Sequence, residues 1–71
     1  MESVYPNLDI KIKTKNLSYS ELARIIGISK YAMYRRISGK TEFKLSEAIN
    51  ICDALDEYDA KQLYLRLNTK T

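Results

Sequence analysis

Only two glycines and one proline interrupt the 71 residues, and both glycines close a short stretch that a serine opens. Ser18-Tyr19-Ser20-Glu21 has the S-x-x-E form of a capping box, in which the Ser18 hydroxyl accepts from the Glu21 amide and the Glu21 side chain reaches back to the Ser18 amide. Leu22, Ala23 and Ile26 follow on one helical face, and Gly27 can take the left-handed conformation that ends such a helix. Ser29 is a good N-cap for a second short helix, in which Met33 and Ile37 form an inward i, i+4 pair before Gly39 closes it. The joint between the two is Gly27-Ile28-Ser29, too tight to permit anything but a sharp turn.

Two helices of about two turns each, joined in this way, are the pattern of a helix-turn-helix, here over about residues 19–38. Beyond it, Leu45, Ala48, Ile49, Cys52 and Leu55 recur at three- and four-residue spacing and predict a third amphipathic helix from Leu45 to Leu55. Its start is open between two signals, because Ser46 is the better capping side chain while the apolar pattern begins at Leu45. The ends of the chain are ambiguous by pattern. Leu8-Asp9-Ile10-Lys11-Ile12-Lys13 alternates like a strand, yet Leu8 and Ile12 also suit a helix opened by Pro6. Leu63, Leu65 and Leu67 alternate too, whereas Ala60, Leu63, Tyr64 and Leu67 form a helical face. A short helix from about Asp59 is the preferred reading there, with an extended end as its alternative.

The length is that of one small domain, 1–71, and 45% hydrophobic residues supply a core for it. The single cysteine, Cys52, has no disulfide partner in the chain, and the absence of His leaves no Cys/His set for a metal. No cofactor is expected. No apolar run is long enough for a membrane span, and the opening MESVYPNLD lacks the order of a signal peptide, so a reducing, cytoplasmic location is expected. The net charge of +3 is unevenly spread: residues 1–44 hold nine Lys/Arg against four acids, and residues 45–71 hold three against five. That asymmetry points to a polyanion meeting the first part of the chain. No nucleophile-base set or Gly-rich phosphate loop is present, and an enzyme is not expected.

The run YSELARIIGISKYAMYRRISGK resembles the phage repressor and Cro type of helix-turn-helix, the lambda-repressor-like (XRE-type) family. Leu22 and Ala23 stand where that motif has its apolar-small pair, Gly27 at its turn, Ile28 just after, and Met33 at the inward position of the second helix. YPNL near the start and GKTEFKLSEAINICDAL after the motif are similar to short phage-encoded proteins of this type, so the resemblance covers most of residues 5–55. One departure is Arg36, which stands where many members have a large apolar residue, with Ile37 beside it supplying the apolar contact. The resemblance implies an all-α, compact four- to five-helix domain with a helix before the motif, its C-terminal segment helical or partly extended.

It also implies a function: sequence-specific binding of double-stranded DNA, with the second motif helix in the major groove, as a transcriptional regulator of phage or prophage type. By family position the base-contacting residues are Lys30, Tyr31, Tyr34 and Arg35. The phosphate-contacting set is Tyr19, Ser20, Ser29, Lys40, Thr41 and Lys44, where helix N-termini and cations meet the backbone. A single short helix offers few base contacts, so a homodimer on an operator is expected, with Tyr58, Leu63, Tyr64, Leu65 and Leu67 as its contacts. Taken singly, Arg24, Lys40 and Lys44 also suit a solvated surface, Tyr5, Tyr58 and Tyr64 suit core or subunit packing, Cys52 suits a core, and Glu42 and Glu47 suit helix-flanking charges. The competing reading is a protein-interaction module, an antirepressor or adaptor on the same fold; single-stranded RNA stacking on exposed tyrosines ranks behind both.

Overall fold

A computed structural model describes residues 3–66, and five helices account for most of them: α1 (Pro6–Thr14), α2 (Tyr19–Ile26), α3 (Lys30–Ile37), α4 (Leu45–Leu55) and α5 (Ala60–Leu63). No strand occurs among the described residues. Residues 8–13 are therefore helix. Pro6 sits in the first turn, where its missing N–H costs nothing, and Leu8 and Ile12 are buried while Ile10 is left outside. The alternation of that segment has no inward consequence because only the i, i+4 pair meets the core. Asn16 at φ 60 then turns the chain, and the Leu17 amide returns to the Ile12 carbonyl at 3.1 Å.

The motif forms as its punctuation predicts. Ser18 Oγ accepts from the Glu21 amide at 3.1 Å, and Glu21 Oε1 accepts from the Ser18 amide at 2.8 Å. The Ser18 amide, and then the Ser18 hydroxyl beside it, hold the Glu21 carboxyl below its ordinary value. Gly27 (φ 82) and Gly39 (φ 83) both occupy the left-handed region. At Gly39 a side chain would also meet Val4 and Arg66, so that position is constrained in space as well as in φ. Ala23, 1% exposed, lets α3 approach α2 closely, and Leu22, Met33 and Ile37 are fully buried between them.

The face that α4 turns inward differs from the one its sequence suggests. Ile51 and Leu55 are fully buried and Glu47 joins them, whereas Leu45 is 77% and Ile49 51% exposed. Both Leu45/Ile49 and Ile51/Leu55 have i, i+4 spacing, so the helix carries two apolar stripes and periodicity cannot choose between them. The choice is made by Glu47, whose carboxylate must point into the molecule to reach Arg36. The same carboxylate fixes the helix start. It accepts from the Lys44 amide at 3.0 Å, so Lys44 is the capping position and Ser46 lies inside the first turn.

The C-terminal helix is a single turn, capped by Asp59 accepting from the Gln62 amide at 3.3 Å. Leu63 is buried in the protomer's own core, and Tyr64 is half-buried with its hydroxyl donating to the Ala48 carbonyl at 2.9 Å. Leu63 thus has no surface to offer a second copy, contrary to its place among the expected dimer contacts. Tyr58 and Leu65 are exposed, and Leu67 lies outside the described residues. Tyr5, Phe43 and Tyr64 pack mutually at centroid distances of 5.5–6.0 Å and join the N-terminal segment, the α3–α4 loop and the end of α5.

Candidate nucleic-acid interface

The inward pair Met33/Ile37 fixes the rotation of α3 and thereby decides which of its side chains face out. Lys30 and Tyr31 are exposed in its first turn, Tyr31 by 70%. Arg35, one turn later, is half-buried, with its guanidinium 5.9 Å from the Tyr31 ring centroid and its Nε donating to Thr41 Oγ1 at 3.1 Å. Tyr31 and Arg35 therefore form one unit, a ring with a cation over it. The Arg35 carbonyl accepts from the amides of Lys40 and Thr41 at 2.9 and 3.2 Å, which folds the loop back beside the helix. Thr41 thus supports Arg35 through both hydroxyl and backbone, a role that no local spacing in the sequence signals.

Tyr34 is placed differently from Tyr31. It is half-buried, edge-on to Tyr19 at 5.9 Å, with the Lys30 ammonium 5.6 Å from its centroid. Tyr19 continues that stack inward, and its hydroxyl donates to the Asp9 carboxylate of α1. Burial and then this bond to a carboxylate push the Tyr19 phenol well above its ordinary value, so it stays a neutral donor at all physiological pH. Its hydroxyl is committed to Asp9, and what Tyr19 retains for an anion is its backbone amide. The Ser20 amide is beside it in the first turn of α2, where no preceding carbonyl accepts from either. A cleft of about 500 Å³ opens here, lined among others by Asp9, Lys13, Ser18, Ser20 and Tyr34.

The remaining candidates surround this surface. Ser29 Oγ accepts from the Ala32 amide at 3.0 Å as the α3 cap. Lys40 and Lys44 are exposed at the two ends of the α3–α4 loop. Arg36 turns the opposite way. Its Nε and Nη2 donate to the two Glu47 carboxylate oxygens at 2.6 and 3.2 Å, and its Nη1 donates to the Ala32 carbonyl at 3.2 Å. The pair is 12% and 9% exposed at its two side chains. Burial raises the Glu47 carboxyl, but the Arg36 and Lys44 hydrogen bonds outweigh it and hold the group below its ordinary value.

The Arg36–Glu47 pair explains the departure from the expected apolar residue: the position is filled by a cation that brings its own buried counter-ion from α4. The only sequence signal for it was an acid beside the inward stripe of a helix, a weak one. Nearby, Cys52 is half-buried and burial raises its thiol, which suits a packing residue. No three or more His, Cys, Asp or Glu among the described residues are grouped to hold a metal.

The family model of the Cro/C1-type HTH DNA-binding domain matches residues 7–57. The chain belongs to that family. No curated protein matches it. Membership identifies the motif helices α2 and α3 as those of a DNA-binding helix-turn-helix, and the chain as a DNA-binding regulatory domain. No helix among the described residues is long and apolar enough to cross a membrane.

Proposed function

We propose that this domain is a sequence-specific regulator of transcription, a Cro- or repressor-like protein of phage or prophage type, that binds an operator in double-stranded DNA as a homodimer. The observation that carries this reading is the Tyr31–Arg35 unit, an exposed ring and a guanidinium held against it on the outward side of a buried-backed helix. Arg35 has the two-pronged donor set that matches guanine O6 and N7, and Lys30 supplies a second cation in the first turn. Tyr31 offers its ring to a thymine methyl, and Tyr34, more deeply set, contributes its edge. The free amides of Tyr19 and Ser20, the Ser29 turn, Lys40 and Thr41 take the flanking phosphates.

Operator occupancy places the chain where DNA is, in the cytoplasm, and two copies on half-sites one helical turn apart give the specificity one short helix lacks. The test is selection of genome fragments by the purified protein at near-physiological salt, repeated with Tyr31→Ala and Arg35→Ala. Enrichment of an inverted repeat that these changes weaken or relax supports the reading. No enrichment by correctly folded protein sinks it and favours a protein-binding adaptor.

A further inference from the structure

The stripe of α4 that the core does not use remains on the surface. Leu45 and Ile49 are 77% and 51% exposed, and with Ala48, Cys52 and the 80% exposed Tyr58 they line an apolar groove of about 270 Å³. Its two ends are opposite in charge. Lys44 caps the helix just beyond the N-terminal end, where the helix also presents the positive end of its dipole, and Asp53 and Glu57 line the groove toward the C-terminal end. Among the described residues, neither Lys44 nor Asp53 has an ion-pair partner, whereas Asp56 and Glu57 are engaged by Lys15 and Lys11 at 3.3 and 3.4 Å.

We propose that this face of α4 seats a second copy of the same chain, with the two α4 helices crossing antiparallel about a two-fold axis near Ala48 and Ile49. That register places Leu45 of one copy against Cys52 of the other, brings the two Ile49 side chains together at the axis, and sets Lys44 of each copy opposite Asp53 of the other. A surface that is apolar in the middle and oppositely charged at its ends is complementary to its own copy in the antiparallel sense, which a two-fold axis across the helices provides. The arrangement assigns Lys44 to the subunit interface and not to DNA phosphate. An 11-residue helix crossing its own copy buries less than the roughly 1,600 Å² of a standard stable complex, so self-association is weak and concentration-dependent.

This inference specifies the dimer of the proposed function and rests on that part of it alone, so its test is made without DNA. Sedimentation of the full chain up to millimolar concentration should show a monomer–dimer equilibrium for the wild type and a folded monomer for Ile49→Glu, whose site is half in water already. Lys44→Asp and Asp53→Lys should each weaken dimerisation about twofold to fivefold, and the two reversals combined should restore it. In a Cys52→Ala background, Ile49→Cys should yield a disulfide-linked dimer on oxidation and Leu65→Cys should not. A wild type that stays monomeric throughout, a dimer that survives Ile49→Glu, or preferential cross-linking through Leu65→Cys overturns the proposal. Failure of the fragment selection, by contrast, would remove the DNA reading and leave this dimer standing.

Discussion

The two ends of α3 are held by different means. The first turn is fixed locally, by the Ala32 amide to Ser29 Oγ and the Met33 amide to the Ser29 carbonyl, and its Lys30 and Tyr31 project into solvent. The last turn is fixed by the rest of the molecule: Arg35 to Thr41 across the loop, Arg36 to Glu47 on α4. Adjacent arginines therefore have opposite fates, because about 100° of helical rotation carries one to the outer surface and the other to the interior. A helix secured in this way has its direction set by its C-terminal half, while its exposed first turn is held only by its own cap. That division suits the role proposed for α3, entering a groove at one angle and then meeting the base edges.

Breaking the anchored end should produce the largest effect. Arg36→Ala leaves a nearly buried carboxylate without its partner and should cost about 3 kcal/mol of folding stability, measured by urea denaturation. The apolar double replacement Arg36→Met with Glu47→Leu should recover most of that loss, since a buried pair is often no more stabilising than well-packed hydrophobes of similar volume. The pair also carries a pH signature. With Glu47 held below its ordinary 4.5, the folded state binds fewer protons than the unfolded state as pH falls through that region. The stabilisation is thus full above about 4.5 and is lost progressively on acidification through the lower folded value. Melting curves from pH 7 to pH 3 should fall more steeply for the wild type than for Glu47→Gln.

The same division separates what sequence conveys from what it does not. Ser18, Glu21, Gly27, Ser29 and Gly39 act within a few residues of themselves, and the elements they bound were legible one by one. Placing Lys30, Tyr31 and Arg35 outside followed from Met33 and Ile37 being inside, again within two turns. The face of α4 was not legible, because two apolar stripes compete on it and the arbiter, Glu47, acts on a residue eleven positions away. Leu63 was misplaced for a related reason: a leucine near a chain end reads equally as surface contact or core, and only the packing of α5 over α1 and the Tyr5–Phe43–Tyr64 cluster decides. The commitment of the Tyr19 hydroxyl to Asp9, ten residues earlier, has no spacing rule behind it either.

Substitutions on the outer surface sharpen the contrast by acting on binding more than on stability. Arg35→Ala should weaken operator binding by about 1–3 kcal/mol and relax preference at the base pair it reads, with a smaller loss of urea midpoint than Arg36→Ala because the Arg35 carbonyl still holds the loop. Thr41→Val should act on the same base pair more mildly, since it removes the hydroxyl that orients Arg35 but leaves the guanidinium over Tyr31. Lys40→Ala should lower affinity for all sequences alike and reduce the log–log salt slope by about 0.9. If Arg35→Ala instead lowered affinity uniformly and flattened the salt slope, Arg35 would be a phosphate ligand and its stack on Tyr31 only a resting position.

The smallest effect should come from the local end. Ser29→Ala removes a cap worth about 1 kcal/mol, and its consequences should stay near the first turn of α3. Hydrogen exchange distinguishes this from the anchored end: the Ala32 amide, which donates to Ser29 Oγ, should lose protection, while amides of α4 keep theirs. Arg36→Ala should do the reverse, raising exchange through α4 because Glu47 both pairs with Arg36 and receives the Lys44 amide. If Ser29→Ala deprotected α4 as strongly as α3, the two ends of α3 would unfold as one unit. The helix would then be held as firmly at its first turn as at its last, and the division between a fixed end and a locally capped end would fail.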